Sequence, residues 1–198
     1  MPMPSGRIPG RVPPGYHEVL YWKLTGNFIR LVLINLLALP LAALAILFFG
    51  GLAVTFGRAG FSLGAEWGDV LILGAAIVLT LALHELSHGL TMSLFGATPK
   101  YGIKWEAGAL YATAPGYAFT RNQYLAVILA PLVELSLLAA LGIVAFAGQP
   151  AISLLAACAV VNAMGACGDV YMAYRVLQYP ALAYVIDEED GMRVFMPA

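Results

Sequence analysis

Long apolar stretches, separated by short polar segments, dominate the pattern of the chain. Four of them, at 28–56, 69–95, 123–146 and 151–177, are long enough to cross a bilayer, which takes about 20 residues. We therefore predict a transmembrane helix over each stretch. Pro40 lies inside the first one and predicts a kink in that helix.

A different pattern lies between the second and third apolar stretches. Residues 100–105 and 109–113 alternate in polarity around Ala107-Gly108, which is typical of a short β-hairpin. The fold class we expect is an all-α membrane protein, with four transmembrane helices and a short cytoplasmic-side β-hairpin between helices 2 and 3.

Three regions follow from this pattern. Residues 1–27 form a basic leader that is so rich in proline and glycine that we expect it not to pack. Residues 28–178 form the transmembrane domain, with the hairpin region at about 97–120. Residues 179–198 form an acidic tail, in which two short apolar runs flank residues 187–191. We expect these acidic residues to lie in a solvated turn.

Composition agrees with a membrane protein, since 61% of the residues are hydrophobic and 11% are charged. The formal net charge of −1 provides no basic face for nucleic acid. The bilayer is therefore the expected surrounding, and nucleic acid is not an expected partner. Cys158 and Cys167 lie nine residues apart in one predicted helix, which is too far for a disulfide.

Basic residues predict the orientation of the four helices. If the N-terminus is cytoplasmic, every lysine and arginine except Arg58 lies on the cytoplasmic side or at that end of a helix. Cytoplasmic loops carry such an excess of positive residues. We therefore expect a multi-pass protein of the cytoplasmic membrane with both termini in the cytoplasm.

The second apolar stretch contains the sequence HELSH, in which His84 and His88 lie one helical turn apart. Both imidazoles can reach one Zn²⁺ from the same helix face, and Glu85 lies beside them as a general base for the attacking water. Polar residues at 80, 84, 87, 88 and 91 continue this face. Ionisable groups inside a span indicate a functional site, although a structural polar cluster that joins helices is an alternative.

A catalytic zinc takes three protein ligands and keeps one position open. The candidates for the third ligand are His17 in the leader, Glu134 in the third helix and Asp169 in the fourth. From the cytoplasmic helix ends, His88, Asp169 and Glu134 lie about 10, 15 and 18 Å deep. Asp169 is the better match to His88, but depth alone does not exclude Glu134.

Asn162 lies seven residues before Asp169, and small residues surround both of them. This spacing places the two side chains on one face of a helix. Asn162 is a candidate for binding substrate, and an interhelical hydrogen bond is an equally good interpretation.

The segments HELSHGL, GAT, APGYAFTRNQYLAVILAPL and NAMGACGD together resemble the putative membrane zincin peptidase family, a relative of the site-two proteases. The resemblance covers about residues 69–190. It implies that His84, His88 and Asp169 hold zinc and that Glu85 is the catalytic base.

The chain differs from the site-two proteases in the last of these segments. In those enzymes the third ligand comes from an LDG motif that follows an Asn-Pro pair, and the asparagine is assigned to substrate contact. Here Gly168-Asp169-Val170 stands in place of LDG, and no proline lies between Asn162 and Asp169.

These observations predict an intramembrane zinc metalloprotease. Its substrates would be membrane-spanning or membrane-associated proteins or peptides, cut near the cytoplasmic face. A zinc transporter is an alternative, but Gly89 replaces the second glutamate of a His-Glu-x-x-His-Glu pattern, and no repeated halves are present. A protein that binds membrane clients without cutting them is a further alternative.

Overall fold

The computed structural model describes residues 9–23, 28–57, 67–104, 109–189 and 191–198. Along these residues the elements are β1 Tyr16–Lys23, α1 Phe28–Leu36, α2 Ala38–Ala45, a π-helical turn Ile46–Gly50, α3 Gly51–Phe56, α4 Trp67–Leu94, β2 Lys100–Lys104, β3 Ala109–Thr113, β4 Ala118–Thr120, α5 Arg121–Ala145, α6 Ala151–Gly165, α7 Cys167–Leu177, β5 Tyr184–Glu188 and β6 Gly191–Pro197.

The expected all-α class is wrong, because the chain also forms a four-stranded antiparallel sheet in the order β1-β6-β5-β4. The leader supplies β1, so the expectation that it does not pack is wrong for residues 16–23. In this strand the side chain of Trp22 is buried, whereas those of Tyr21 and Lys23 on either side of it are exposed. The two short apolar runs of the tail lie in β5 and β6, which pair with each other in antiparallel register.

The predicted hairpin is confirmed where the structure describes it. Strands β2 and β3 pair in antiparallel register from Lys100↔Thr113 to Lys104↔Ala109. Trp105 and the predicted turn at Ala107-Gly108 lie outside the described residues.

The four apolar stretches are helical. Phe28–Phe56, Trp67–Leu94 and Arg121–Ala145 are long and apolar enough to cross a membrane, and α6 with α7 makes a fourth such stretch, bent by 44°. The first stretch is interrupted at Leu37, because the ring of Pro40 excludes the carbonyl four residues earlier. Cys158 and Cys167 are not joined by a disulfide.

A capping box sets the start of α5, which carries part of the candidate site. The Thr120 backbone N–H donates to Gln123 Oε1 at 2.9 Å, and the Gln123 N–H donates back to Thr120 Oγ1 at 3.4 Å. The sequence TRNQ thus satisfies two N–H groups that a helix N-terminus leaves unpaired. Because Thr120 also ends β4, the sheet fixes the residue at which the helix begins.

The chain divides into two compact units. The first, the sheet unit, comprises Met1–Leu31, Glu85–Ala130 and Asp169–Ala198. Its buried side chains include Phe119, Tyr124, Val185 and Val194.

The second, the helical unit, comprises Val32–His84 and Pro131–Gly168. Its core is built mostly from small residues around three larger ones. They are Ala45, Phe49, Ala139, Ile143, Ile152, Ala156, Ala159 and Ala163. Small side chains let helices approach closely, which is the usual way to pack apolar helices when no water drives them together.

Candidate metal centre

Helix α4 has one polar and one apolar face. Its polar stripe is buried and consists of Thr80, His84, Ser87, His88 and Thr91. Leucines on the other face are exposed, among them Leu79 and Leu90. The HELSH segment therefore directs its histidines into the protein, whereas the leucines around it face outward.

The ligand atoms of the motif lie close together. One nitrogen of His84, one nitrogen of His88 and a carboxylate oxygen of Glu85 all lie within 4.8 Å of one another. Because His84 and His88 lie one turn apart on one continuous helix, helix geometry places their side chains on the same face, and Glu85 directly follows His84 in the chain. The two imidazoles are buried, whereas Glu85 is half-buried. This group could hold a metal ion.

In the helical unit, Asn162 orients His84. The Nδ1 of His84 lies 2.9 Å from Asn162 Oδ1, and Asn162 Nδ2 donates to the Pro131 carbonyl at 3.0 Å. Because a carbonyl only accepts, the amide nitrogen must face Pro131, and the amide oxygen accepts the Nδ1–H of His84. This tautomer leaves the Nε2 lone pair of His84 available to a metal.

In the sheet unit, the Nδ1 of His88 lies 2.9 Å from the carbonyl oxygen of Val127 in α5. By the same reasoning the Nδ1–H donates to this carbonyl, and Nε2 is the nitrogen available to a metal. The Nε2 of His88 lies 3.5 Å from Asp169 Oδ1, and both side chains are buried.

Asp169 is presented by a break in the fourth apolar stretch. Helix α6 ends at Gly165, Ala166 leaves the helical conformation with ψ 6°, and α7 begins at Cys167. Asp169 therefore lies in the first turn of α7, where the helix dipole favours a carboxylate. Asn162 and Asp169, which we expected on one face of a straight helix, belong to two helices.

These residues fit a zinc ion. Two imidazoles and one carboxylate are an ordinary ligand set for catalytic zinc, and two ligands at tetrahedral zinc distances lie about 3.4 Å apart. The distance of 3.5 Å from His88 Nε2 to Asp169 Oδ1 agrees with this spacing. Asp169 is not in the group of mutually close ligand atoms formed by His84, Glu85 and His88. Its link to this group is the contact between its carboxylate and His88 Nε2.

The other two candidates for the third ligand, His17 and Glu134, are exposed side chains. His17 is an exposed residue of β1 and faces Met196 in the register of the sheet. Glu134 is exposed on α5. Among the described residues, neither belongs to the group of ligand atoms around the motif.

The sequence prediction missed one buried carboxylate. Asp187 in β5 is 6% exposed and accepts a hydrogen bond of 2.9 Å from the Tyr124 hydroxyl. Burial raises the pKa of Asp187 to about 7, although the hydroxyls of Thr113 and Tyr124 counteract this shift. The predicted solvated turn is therefore wrong for Asp187, whereas Glu189 is exposed. The alternation of side chains along a strand could have revealed the burial of Asp187, because Asp187 lies two positions after the buried Val185.

The hairpin packs against the helix directly after the motif. A side chain at Gly89 would collide with the hydroxyl of Tyr101 in β2, so glycine is required for this contact. Gly89 lies one turn after Glu85 on the same face of α4. The hairpin thus lies beside the candidate base.

Comparison with known proteins agrees with the motif. The sequence model of a family described as "Putative zincin peptidase" matches residues 77–184, which is more than half of the chain. The chain belongs to the putative zincin peptidase family. The match includes His84, Glu85, His88 and Asp169, and zincins are zinc peptidases, so zinc is the metal that the family implies. No match was found among curated proteins or among solved structures.

Proposed function

We propose that this zincin is an intramembrane zinc metallopeptidase that cuts membrane-spanning or membrane-associated proteins near the cytoplasmic face. The observation that carries the proposal is the close group of His84, Glu85 and His88 on a helix that is apolar and long enough to cross a membrane. Buried ionisable groups in such a helix are costly and indicate function.

Each residue has a chemical role in this proposal. His84, His88 and Asp169 would hold the zinc, which when bound would lower the pKa of the attacking water and polarise the scissile carbonyl. Glu85 accepts the proton of the attacking water and passes it to the leaving amine. Its half-buried position allows solvent to reach this carboxylate while the two imidazoles stay buried.

The hairpin is the proposed place for substrate. A helical segment hides its carbonyls in its own hydrogen bonds, so the segment must unwind before it is cut. An extended segment can add as a further strand beside β2 or β3. Tyr101, Ile103 and Leu110 are exposed apolar side chains of this hairpin and suit an apolar substrate.

The membrane orientation is also part of the proposal. Strands β1 and β6 pair over the whole length of β1, so the leader and the tail lie on the same side of the bilayer. The excess of basic residues on that side supports a cytoplasmic location for both termini.

The replacement Glu85→Gln tests the reaction. In liposomes that contain the purified protein and fluorogenic peptides with apolar segments, we expect cleavage to fall by about 10²–10⁴, the usual contribution of a general base. Zinc content should stay at the wild-type level, because His84, His88 and Asp169 are unchanged. Wild-type cleavage by this variant would contradict the proposal. Zinc flux across the liposomes without any cleavage would favour a transporter instead.

A further inference from the structure

Pro131 lies inside α5 and its side chain is fully buried. In a regular helix the N–H of residue 131 would donate to the carbonyl of Val127, four residues earlier. Proline has no N–H, and its ring pushes that carbonyl aside. Helix α5 therefore contains a carbonyl at Val127 without its helical donor, and a buried carbonyl needs another one.

The donor that replaces the missing N–H is a histidine of the metal motif. The Nδ1 of His88 lies 2.9 Å from the Val127 oxygen. The proline is thus located at the one position of α5 that frees this particular carbonyl.

We propose that Pro131 is a positioning residue of the metal centre. By withholding an N–H, it reserves the Val127 carbonyl for His88, and this bond fixes the tautomer and the direction of the imidazole. The inference rests on the proposed function, because it takes His88 as a zinc ligand. Hydrogen-bond partners of this kind hold metal-binding histidines in place and tune their affinity.

The carbonyl of Pro131 itself makes a second contact of the same type. It accepts from Asn162 Nδ2 at 3.0 Å, and Asn162 Oδ1 accepts from His84. The carbonyls of Val127 and Pro131, one turn apart on α5, are therefore each used to orient one of the two histidines, which are one turn apart on α4. Stability of α5 does not explain this proline, because the interior of a helix is its least favourable position.

Pro131→Ala and Pro131→Gly test the inference, since both restore the N–H but differ in helix propensity. We expect both to lower zinc affinity by about 10–100-fold, the range for loss of such a partner, in competition with a chelator. The visible spectrum of bound Co²⁺ should change in both. The melting temperature of metal-free Pro131→Ala should equal or exceed that of the metal-free wild type. A variant that binds metal less tightly without becoming less stable separates positioning from a merely structural role.

Pro40→Ala is the matched control. Pro40 is exposed in α2, and its replacement also restores a helical N–H, but in a helix that carries none of His84, His88 and Asp169. It should leave zinc affinity unchanged. Wild-type zinc affinity and an unchanged Co²⁺ spectrum in both Pro131 variants would overturn the inference while leaving the peptidase proposal intact. A wild-type protein that binds no zinc through His84 and His88 would overturn both.

Discussion

His84 and Asn162 are 78 positions apart in the chain, and the Nδ1 of the histidine lies 2.9 Å from the amide oxygen of the asparagine. Asn162 is 1% exposed, and its amide nitrogen donates to the Pro131 carbonyl. Both ends of the amide are thus used inside the protein. Orientation of His84 accounts for this residue, whereas the predicted contact with substrate stays a prediction.

Asn162→Ala should weaken zinc binding by about 10–100-fold, because His84 loses the partner that fixes its tautomer. The variant should also lose about 1–3 kcal/mol in the free energy of unfolding, since it leaves buried polar groups unpaired. Asn162→Asp keeps an acceptor for His84 and should bind zinc more tightly than the alanine variant. Chelator competition measures both affinities. A raised KM for peptide with wild-type zinc affinity in Asn162→Ala would instead identify a substrate contact.

Gly89→Ala should displace the hairpin, because the added methyl group takes the place of the Tyr101 hydroxyl. We expect faster proteolytic nicking of the segment 100–113, weaker peptide cleavage and a loss of about 1–3 kcal/mol of stability, typical of overpacking. Zinc content should not change. Gly74→Ala on the same helix is the control, since a methyl group there meets open space. Equal cleavage by the two variants would argue against a role for the hairpin in binding substrate.

Asp187 should make stability depend on pH. Its pKa rises from an ordinary value of 3.8 to about 7 in the folded protein, so between these values the folded state holds a proton that the unfolded state releases. The free energy of unfolding should therefore fall as pH rises from about 4 to about 7, with a slope of at most about 1.4 kcal/mol per pH unit from this group.

Unfolding experiments on wild type and Asp187→Asn check this slope. The asparagine keeps an acceptor for Tyr124 but does not titrate, so its curve should lack the contribution. Glu189→Gln, an exposed neighbour in the same acidic run, should behave as wild type. The same pH dependence in Asp187→Asn and wild type would show that another group is responsible.

The helices and the metal motif could be predicted because their signals are local. A run of apolar residues specifies a membrane-length helix without reference to the rest of the chain, and all four runs are helical. The HELSH spacing places His84 and His88 on one face by helix geometry alone. Depth within the helices favoured Asp169, and its carboxylate lies 3.5 Å from His88.

The sheet could not be predicted in the same way. Tyr16 pairs with Pro197 at the other end of the chain, and no short segment carries the signal for such a distant partner. The prolines and glycines before Tyr16 suggested an unstructured leader, but they precede the strand. The burial of Asp187 was missed because the acidic run 187–191 suggested a solvated turn and not the end of a strand, although alternation within β5 places Asp187 on the same face as Val185.

The hydrogen-bond partners of the two histidines could be predicted only in part. Asn162 was noticed as a polar residue in a span, but its bond to His84 depends on tertiary structure. Pro131 is visible in the sequence as a helix-breaking residue within an apolar run. Its consequence becomes apparent only when His88 is seen at the carbonyl that the proline leaves free.

Zinc content of the purified protein tests the central claim most directly. Wild type should contain a single zinc ion per chain, and so should Glu85→Gln and Glu134→Ala. His84→Ala, His88→Ala and Asp169→Ala should each lose most of it, because three protein ligands are needed to hold a catalytic zinc. Full zinc in Asp169→Ala, together with loss of zinc in Glu134→Ala, would contradict this assignment of the ligands.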